Sequence, residues 1–171
     1  PRAVTRLPHF ECGPFSHLGT SPDQSIGHYA IFFSSLQSSL DFSYLKENVK
    51  INNINLKTFR ADIFKWSPEK LADIVICNPP YITKEEMLSL QKEVKKEPTA
   101  ALFGGKDGLD FYRLLCNRAG EFLKSGGKMF VEIGFKQAKD VTALFESSGF
   151  EKVECFKDLN GNDRVISAIF K

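Results

Sequence analysis

The residues with the most chemical potential lie in Asp73–Ile82, DIVICNPPYI, where an unbroken run of β-formers passes straight into Asn-Pro-Pro-Tyr. Pro79 and Pro80 have no N–H to give, so they end the run and stiffen the chain while their carbonyls stay free to accept. Asn78 supplies an amide oxygen acceptor and an NH₂ donor. Tyr81 adds a flat apolar face with a polar tip. Together they form a rigid acceptor clamp with a stacking wall, suited to a planar group that carries an NH₂: an amide, or the exocyclic amine of a base. Nitrogen of that kind is a poor nucleophile because its lone pair is delocalised. If the Asn78 side chain and the Pro79 carbonyl hold both N–H bonds, the lone pair is directed at an electrophile, which is help by orientation and electrostatics. With a cationic electrophile such as a sulfonium methyl donor no general base is needed, and the expected step is in-line methyl transfer to nitrogen. The plainer reading is that Pro-Pro ends a strand and Tyr81 covers the core.

A clamp of this kind needs a scaffold, and the flanking sequence predicts one. Leu71–Asn78 reads as a continuous apolar strand, the pattern of a strand buried on both faces of a parallel sheet. Ahead of it, Ser43–Asn55 reads as the end of a helix and Leu56–Phe64 as a strand with a polar exit at Asp62. After it, Thr83–Glu97 reads as a helix stopping before Pro98. Gly108–Gly127 reads as an amphipathic helix closed by Gly126-Gly127, and Lys128–Phe135 as a strand. Lys136–Phe150 reads as a helix interrupted by Gly149, and two final strands flank an Asn-Gly-Asn-Asp turn. His28–Leu40 fits a short strand or a helix, and periodicity does not decide between them. Strands alternating with helices predict an α/β sheet with helices on both faces and an antiparallel edge. Ligands of such sheets bind outside the carboxyl ends of the strands, where Asn78 falls.

Composition sets the outer limits. The chain has 171 residues, 42% hydrophobic and 26% charged, enough for one domain with a core. A net charge of +2 gives little support for a nucleic-acid partner. No stretch of about 18 apolar residues suggests a membrane span, and the opening residues have no signal-peptide pattern. Cys12, Cys77, Cys116 and Cys155 are scattered without a Cys-x-x-Cys pair, which fits a reducing cytoplasm. His9, His17 and His28 match no zinc spacing, so no metal is expected. Every lysine lies at or after Lys46, a composition break that divides an atypical segment, 1–42, from an orderly one, 43–171.

Several segments carry a resemblance. NPPYI, EVKKEPTAALFGGKDGLDFYR, GGKMFVEIG, Gln137 and KDLNGNDRV together resemble the release factor glutamine methyltransferases, over about Lys46–Lys171. Asn-Pro-Pro-Tyr is shared with DNA adenine and other amino-methyltransferases, and the remaining segments narrow the resemblance. It implies a class I S-adenosylmethionine-dependent methyltransferase sheet of Rossmann-like type. It implies S-adenosyl-L-methionine as cofactor and methylation of the glutamine side-chain amide in the Gly-Gly-Gln tripeptide of peptide chain release factors. Asn78, Pro79, Pro80, Tyr81 and Ile82 would bind that glutamine, with Asn78, Pro79 and Tyr81 catalytic and Asn78 also beside the methyl donor. Asp62 would accept from the adenine amino group, and Ile63 would pack on the ring.

The first segment departs from the family pattern. Its glycines, Gly13, Gly19 and Gly27, are too far apart for the glycine-rich cofactor loop, and no carboxylate stands where the family's ribose-binding acid would precede Asn48. The family's helical N-terminal domain has no counterpart either. Two explanations stay open: unrelated residues ahead of a genuine catalytic portion, from a shifted frame or misassigned start, or a shortened relative. The sheet is therefore expected to be incomplete at its N-terminal side. Two other functions stay open as well, a nucleic-acid amino-methyltransferase acting on adenine or guanine, and a non-catalytic remnant that binds no cofactor.

Some further residues have ordinary readings. Glu132 is expected near the ligands or as a cap of the next helix, and Gln137 as a solvent-facing helix residue. Gly104, Gly105 and Asp107 are expected in a turn rather than a phosphate nest. Asp163 and Arg164 are expected to pair, and the Lys92–Lys96 cluster to be a solvated helix face.

Overall fold

The computed structural model describes residues 30–34, 39–53, 61–90 and 99–171. Strand β1 (Ala30–Ser34) leads to helix α1 (Ser39–Ile51) and then to strand β2 (Ala72–Asn78). Single turns α2 (Glu86–Ser89) and α3 (Thr99–Leu102) precede helices α4 (Asp110–Asn117) and α5 (Ala119–Phe122). Strand β3 (Leu123–Glu132), helix α6 (Ala138–Ser147) and strands β4 (Phe150–Lys157) and β5 (Asp163–Phe170) complete the order. The sheet runs β1-β2-β3-β5-β4. The first three strands are parallel and the last two antiparallel to their neighbours, the edge that two closing strands in succession implied.

β2 holds the centre of the parallel part because its β-branched run can serve both sides. It pairs with β1 from Ala30↔Ile74 to Ser34↔Asn78 and with β3 from Ile74↔Lys128 to Cys77↔Val131. The register places Val75, Cys77, Met129, Val131, Ile166 and Ala168 on one face, and all six are buried. On α4, Tyr112, Leu115, Cys116 and the following Ala119 recur at helical spacing and bury their stripe in the same core. From α6, Val141 and Phe145 add an i,i+4 pair, with Phe145 tilted on Phe150 at 4.8 Å and Phe150 on Phe170 at 5.4 Å. Burial pushes the Cys77 thiol up to about 12, so this cysteine is a small apolar core residue. On the opposite face Ile74, Ile76, Phe130 and Ile169 are half-buried among the described residues.

Local structure differs from the sequence expectation in several places. His28–Leu40 contains both alternatives, β1 and the start of α1. The expected helix over Thr83–Glu97 is a single turn among the described residues, because Leu90 turns extended (φ −58°, ψ 144°). Thr83 and Glu86 form a reciprocal capping box at its start, with Thr83 N–H donating to Glu86 Oε2 and Glu86 N–H to Thr83 Oγ1. The expected helix over Gly108–Gly127 ends at Phe122. Leu123 already pairs with Ala72, and the Gly126-Gly127 pair falls in a register break before Lys128 takes up the ladder. Asp163 and Arg164 do not pair with each other, since neighbours on a strand point to opposite faces. Instead Lys157 pairs with Asp163, and Arg164 with Asp158 across the turn. His9, His17, His28, Cys12, most of the strand read over Leu56–Phe64 and the Lys92–Lys96 cluster lie outside the described residues. No helix among the described residues is long and apolar enough to cross a membrane.

Candidate active site

Asn78 is the last residue of β2, at the carboxyl edge of the sheet, and it is exposed. Its side chain has no hydrogen-bond partner among the described residues, so its oxygen and NH₂ keep their full bonding capacity. Pro79 and Pro80 follow, both buried, and take the chain out of the ladder. The β2–β3 ladder ends at Cys77↔Val131, so Asn78 and Glu132 are the next residues along the two adjacent strands.

Beyond the prolines the backbone is tied to other segments. Ile82 N–H donates to Leu102 O at 2.9 Å, and Gly104 N–H donates to Ile82 O at 3.0 Å. A bridge joins Ile82 to Phe103. The Tyr81 carbonyl accepts from Gln137 Nε2 at 3.2 Å, and the same NH₂ donates to Gly108 O at 3.2 Å. Gly108 has to be glycine here. Its φ is +76°, and a Cβ would sit 2.4 Å from Tyr81 O and 2.6 Å from Gln137 Nε2. The turn that carries it is pinned from outside: Asp107 accepts from Leu109 N–H and pairs with Arg113, which holds its carboxyl well down, to about 2. Gly104, Gly105 and Asp107 lie in the loop that leads into α4.

Tyr81 packs its ring on the core and donates its hydroxyl to Glu132 Oε1 at 3.3 Å. Burial pushes this phenol up, and the Glu132 carboxylate pushes it further, against an opposing effect of Arg164. Tyr81 is therefore a neutral donor near pH 7 and not a base. Tyr112, pushed far up by burial, donates to Glu132 O at 2.9 Å. Glu132 does not cap α6, the helix that follows it. Its carboxylate receives Tyr81 and its carbonyl receives Tyr112.

Asp62 and Ile63 sit in a turn before β2. Asp62 is exposed, and its Oδ1 accepts from Phe64 N–H at 3.0 Å while Oδ2 lies 3.8 Å from Lys65 Nζ. Ile63 is half-buried against the core. Arg118 fastens the turn, donating to the carbonyls of Ile63 and Trp66. Of the residues that sequence assigned to the ligands, Asp62 and Asn78 are both exposed, with the Asp62 carboxylate already engaged by Phe64 N–H. Gln137 and Arg118 are residues that sequence reasoning missed. Gln137 was expected in solvent, yet it is half-buried and its amide joins three segments. A signal was available: Gly134 and Gln137 bracket the turn from β3 into α6, just after the strand edge where sites form.

No family model matches the chain. Among curated proteins it is 42% identical over 125 residues to the release factor glutamine methyltransferase of Thermodesulfovibrio yellowstonii, covering 72% of this chain and 45% of that protein. It is 49% identical over 112 residues to that of Agrobacterium fabrum, covering 65% of this chain and 38% of that one. The chain thus spans less than half the length of these relatives. Among solved structures it resembles a methyltransferase from Pyrococcus furiosus, at TM-score 0.59 and 22% identity over 84% of this chain and 62% of that one. It also resembles a ribosomal protein L11 methylase from Lactobacillus delbrueckii subsp. bulgaricus, at TM-score 0.52 and 12% identity over 84% and 58%. These likenesses show the fold, that of the class I S-adenosylmethionine-dependent methyltransferases.

Proposed function

Over the roughly three quarters that match, the chain belongs with the release factor glutamine methyltransferases, and from that premise we propose that it methylates the side-chain amide nitrogen of glutamine in the Gly-Gly-Gln tripeptide of a peptide chain release factor. The observation that carries the reading is the exposed Asn78 amide at the end of β2, without a partner among the described residues and next to a buried proline pair. The cofactor of this reading is S-adenosyl-L-methionine, which supplies a methyl group on a cationic sulfur. Asp62 would hold the adenine amino group, Ile63 would flank the ring, and Asn78 would border the methyl end.

The chain's own part is positional. The Asn78 oxygen and the Pro79 carbonyl accept the two N–H bonds of the substrate amide and turn its lone pair outward. Pro80 keeps the hinge stiff, and Tyr81 and Ile82 wall the amide. The nitrogen would gain the methyl carbon as that carbon's bond to sulfur breaks, leaving a neutral thioether, and would then release a proton to water, so no side chain must act as base. Tyr81, a neutral phenol bonded to Glu132, agrees with that economy. We assign the catalytic unit to 43–171, with β1 of the preceding segment adding a strand to its sheet. The release factor is the proposed macromolecular partner, and nucleic acid is not a proposed substrate.

The test is incubation with methyl-labelled cofactor and, in parallel, a release factor, the same factor with its tripeptide glutamine replaced by asparagine, and duplex DNA. Label confined to the unaltered release factor supports the reading, and label in DNA overturns it. Calorimetric titration with S-adenosylmethionine separates an enzyme from a remnant: no binding at millimolar cofactor, together with no label, leaves the remnant.

A further inference from the structure

Gln137 stands just before α6, outside the set of residues assigned to ligands, and its amide uses both ends. As donor, Nε2 reaches Tyr81 O and Gly108 O, each at 3.2 Å. As acceptor, Oε1 receives Gly134 N–H at 3.0 Å and lies 3.5 Å from the Tyr112 hydroxyl. Its backbone N–H donates to Gly134 O, and its carbonyl receives Val141 N–H, so the residue is fixed at the start of α6 before its side chain is considered. Two glycines clear the space it fills. A Cβ on Gly108 would meet Nε2 at 2.6 Å, and one on Gly134 would meet Oε1 at 2.9 Å. An apolar or shorter side chain in the same slot would leave the carbonyls of Tyr81 and Gly108 without their donor.

The Tyr81–Ile82 peptide unit is what this amide holds. Its carbonyl receives Gln137, and its N–H donates to Leu102 O at 2.9 Å. The plane is therefore gripped at both ends. On the other side, the β2 ladder fixes Asn78. Between the two anchors lie only Pro79 and Pro80, whose φ angles are locked. With both ends fixed and a stiff link between them, few directions remain open to the Pro79 carbonyl.

We propose that Gln137 is a positioning residue that aims the Asn78–Pro79 acceptor pair by gripping the Tyr81–Ile82 peptide plane. It rests on the amide-methylation reading above for its catalytic consequence, but not for its structural one. Because Gln137 contacts no reacting atom, its loss should lower the rate of transfer while leaving ligand affinity in place. A misplacement on the order of 1 Å is worth up to about 10²-fold in rate.

Two variants divide the amide's functions. Gln137→Met keeps length and loses donor and acceptor alike. Gln137→Glu keeps the acceptor and, when ionised, faces two carbonyls with no proton to offer. For Gln137→Met we expect kcat to fall roughly 10–100-fold with KM for the release factor and cofactor affinity changed less than about twofold. For Gln137→Glu we expect a similar loss at pH 8 and partial recovery toward about pH 5.5, since two nearby carbonyls favour the protonated, donating acid. Independently of turnover, amide hydrogen exchange at Ile82 should rise at least about tenfold in Gln137→Met while Met129 in the core stays protected. If the unaltered chain transfers no label but Ile82 alone loses protection in the variant, the positioning role stands and the substrate reading fails. Variants within about twofold of the parent in kcat and in Ile82 exchange would overturn the proposal. So would loss of protection at Ile82 and Met129 together, which marks general destabilisation.

Discussion

The two parts of the candidate site are built by different means. The loop after β2 is held from elsewhere: Gln137, Leu102 and Gly104 bind its backbone, and both prolines are buried. The turn at Asp62–Trp66 is held mainly by itself, through Phe64 N–H on Asp62 Oδ1 and the Lys65 and Trp66 N–H groups on Asp62 O. Its long-range fastenings are Arg118, which takes the carbonyls of Ile63 and Trp66 and also pairs with Glu121, and the Phe64 ring, which meets Phe111 edge-on at 5.3 Å. On the proposed roles the contrast has a physical sense: an acceptor clamp that works by orientation must be rigid before the substrate arrives, whereas a carboxylate proposed to accept from one amino group needs less exact aim.

That contrast can be broken at its strongest point first. Asn78→Ala removes one of the two oxygen acceptors, and methyl transfer should fall by at least about 10²-fold with cofactor affinity reduced far less, as initial rates and calorimetry would show. Gly108→Val should come next. A side chain there strikes Tyr81 O and Gln137 at positive φ, so we expect a loss of about 2–4 kcal/mol in denaturant unfolding together with the rate. On the other region, Arg118→Ala frees two carbonyls, and we expect about 2 kcal/mol of lost stability and weaker cofactor binding, with the rate at saturating cofactor kept. If Arg118→Ala instead lowered that saturated rate as much as Asn78→Ala, the division between the two regions would be wrong.

Smaller effects sharpen the picture. Tyr81→Phe keeps the ring and loses a 3.3 Å bond to Glu132, so turnover should fall less than about tenfold. The smallest effect concerns pH. Asp107 is held down to about 2 by its hydrogen bonds with Arg113, below its unfolded value near 3.9. Its pairing therefore stabilises the fold above about pH 4 and is lost as pH falls through about 2. Both partners are well exposed, so solvent reduces the gain. Asp107→Asn should flatten the acid limb of thermal stability between those values and change little at pH 7.

How much of this was legible in the sequence depends on the distance between partners. The strand end at Asn78 could be read because an apolar run and two prolines act on neighbouring residues. The antiparallel closing strands could be read because a short turn joins them. The helix end at Phe122 was misplaced, because Gly126-Gly127 serves as a stop signal locally while the sheet had already claimed Leu123 through Ala72. The Asp163–Arg164 pair was misjudged because adjacency in sequence puts strand neighbours on opposite faces. Gln137 was misread because its partners stand 29 and 56 residues away, beyond any helical or strand period.

By itself, then, the sequence determined the groups on offer: an amide side chain and a proline hinge, at the end of a strand of the right type. These follow from covalent structure and short-range sterics, which each residue carries with it. Only the tertiary structure decided what holds the hinge still, because a buried amide finds its partners wherever packing brings carbonyls within about 3 Å, and that proximity is set by the whole fold.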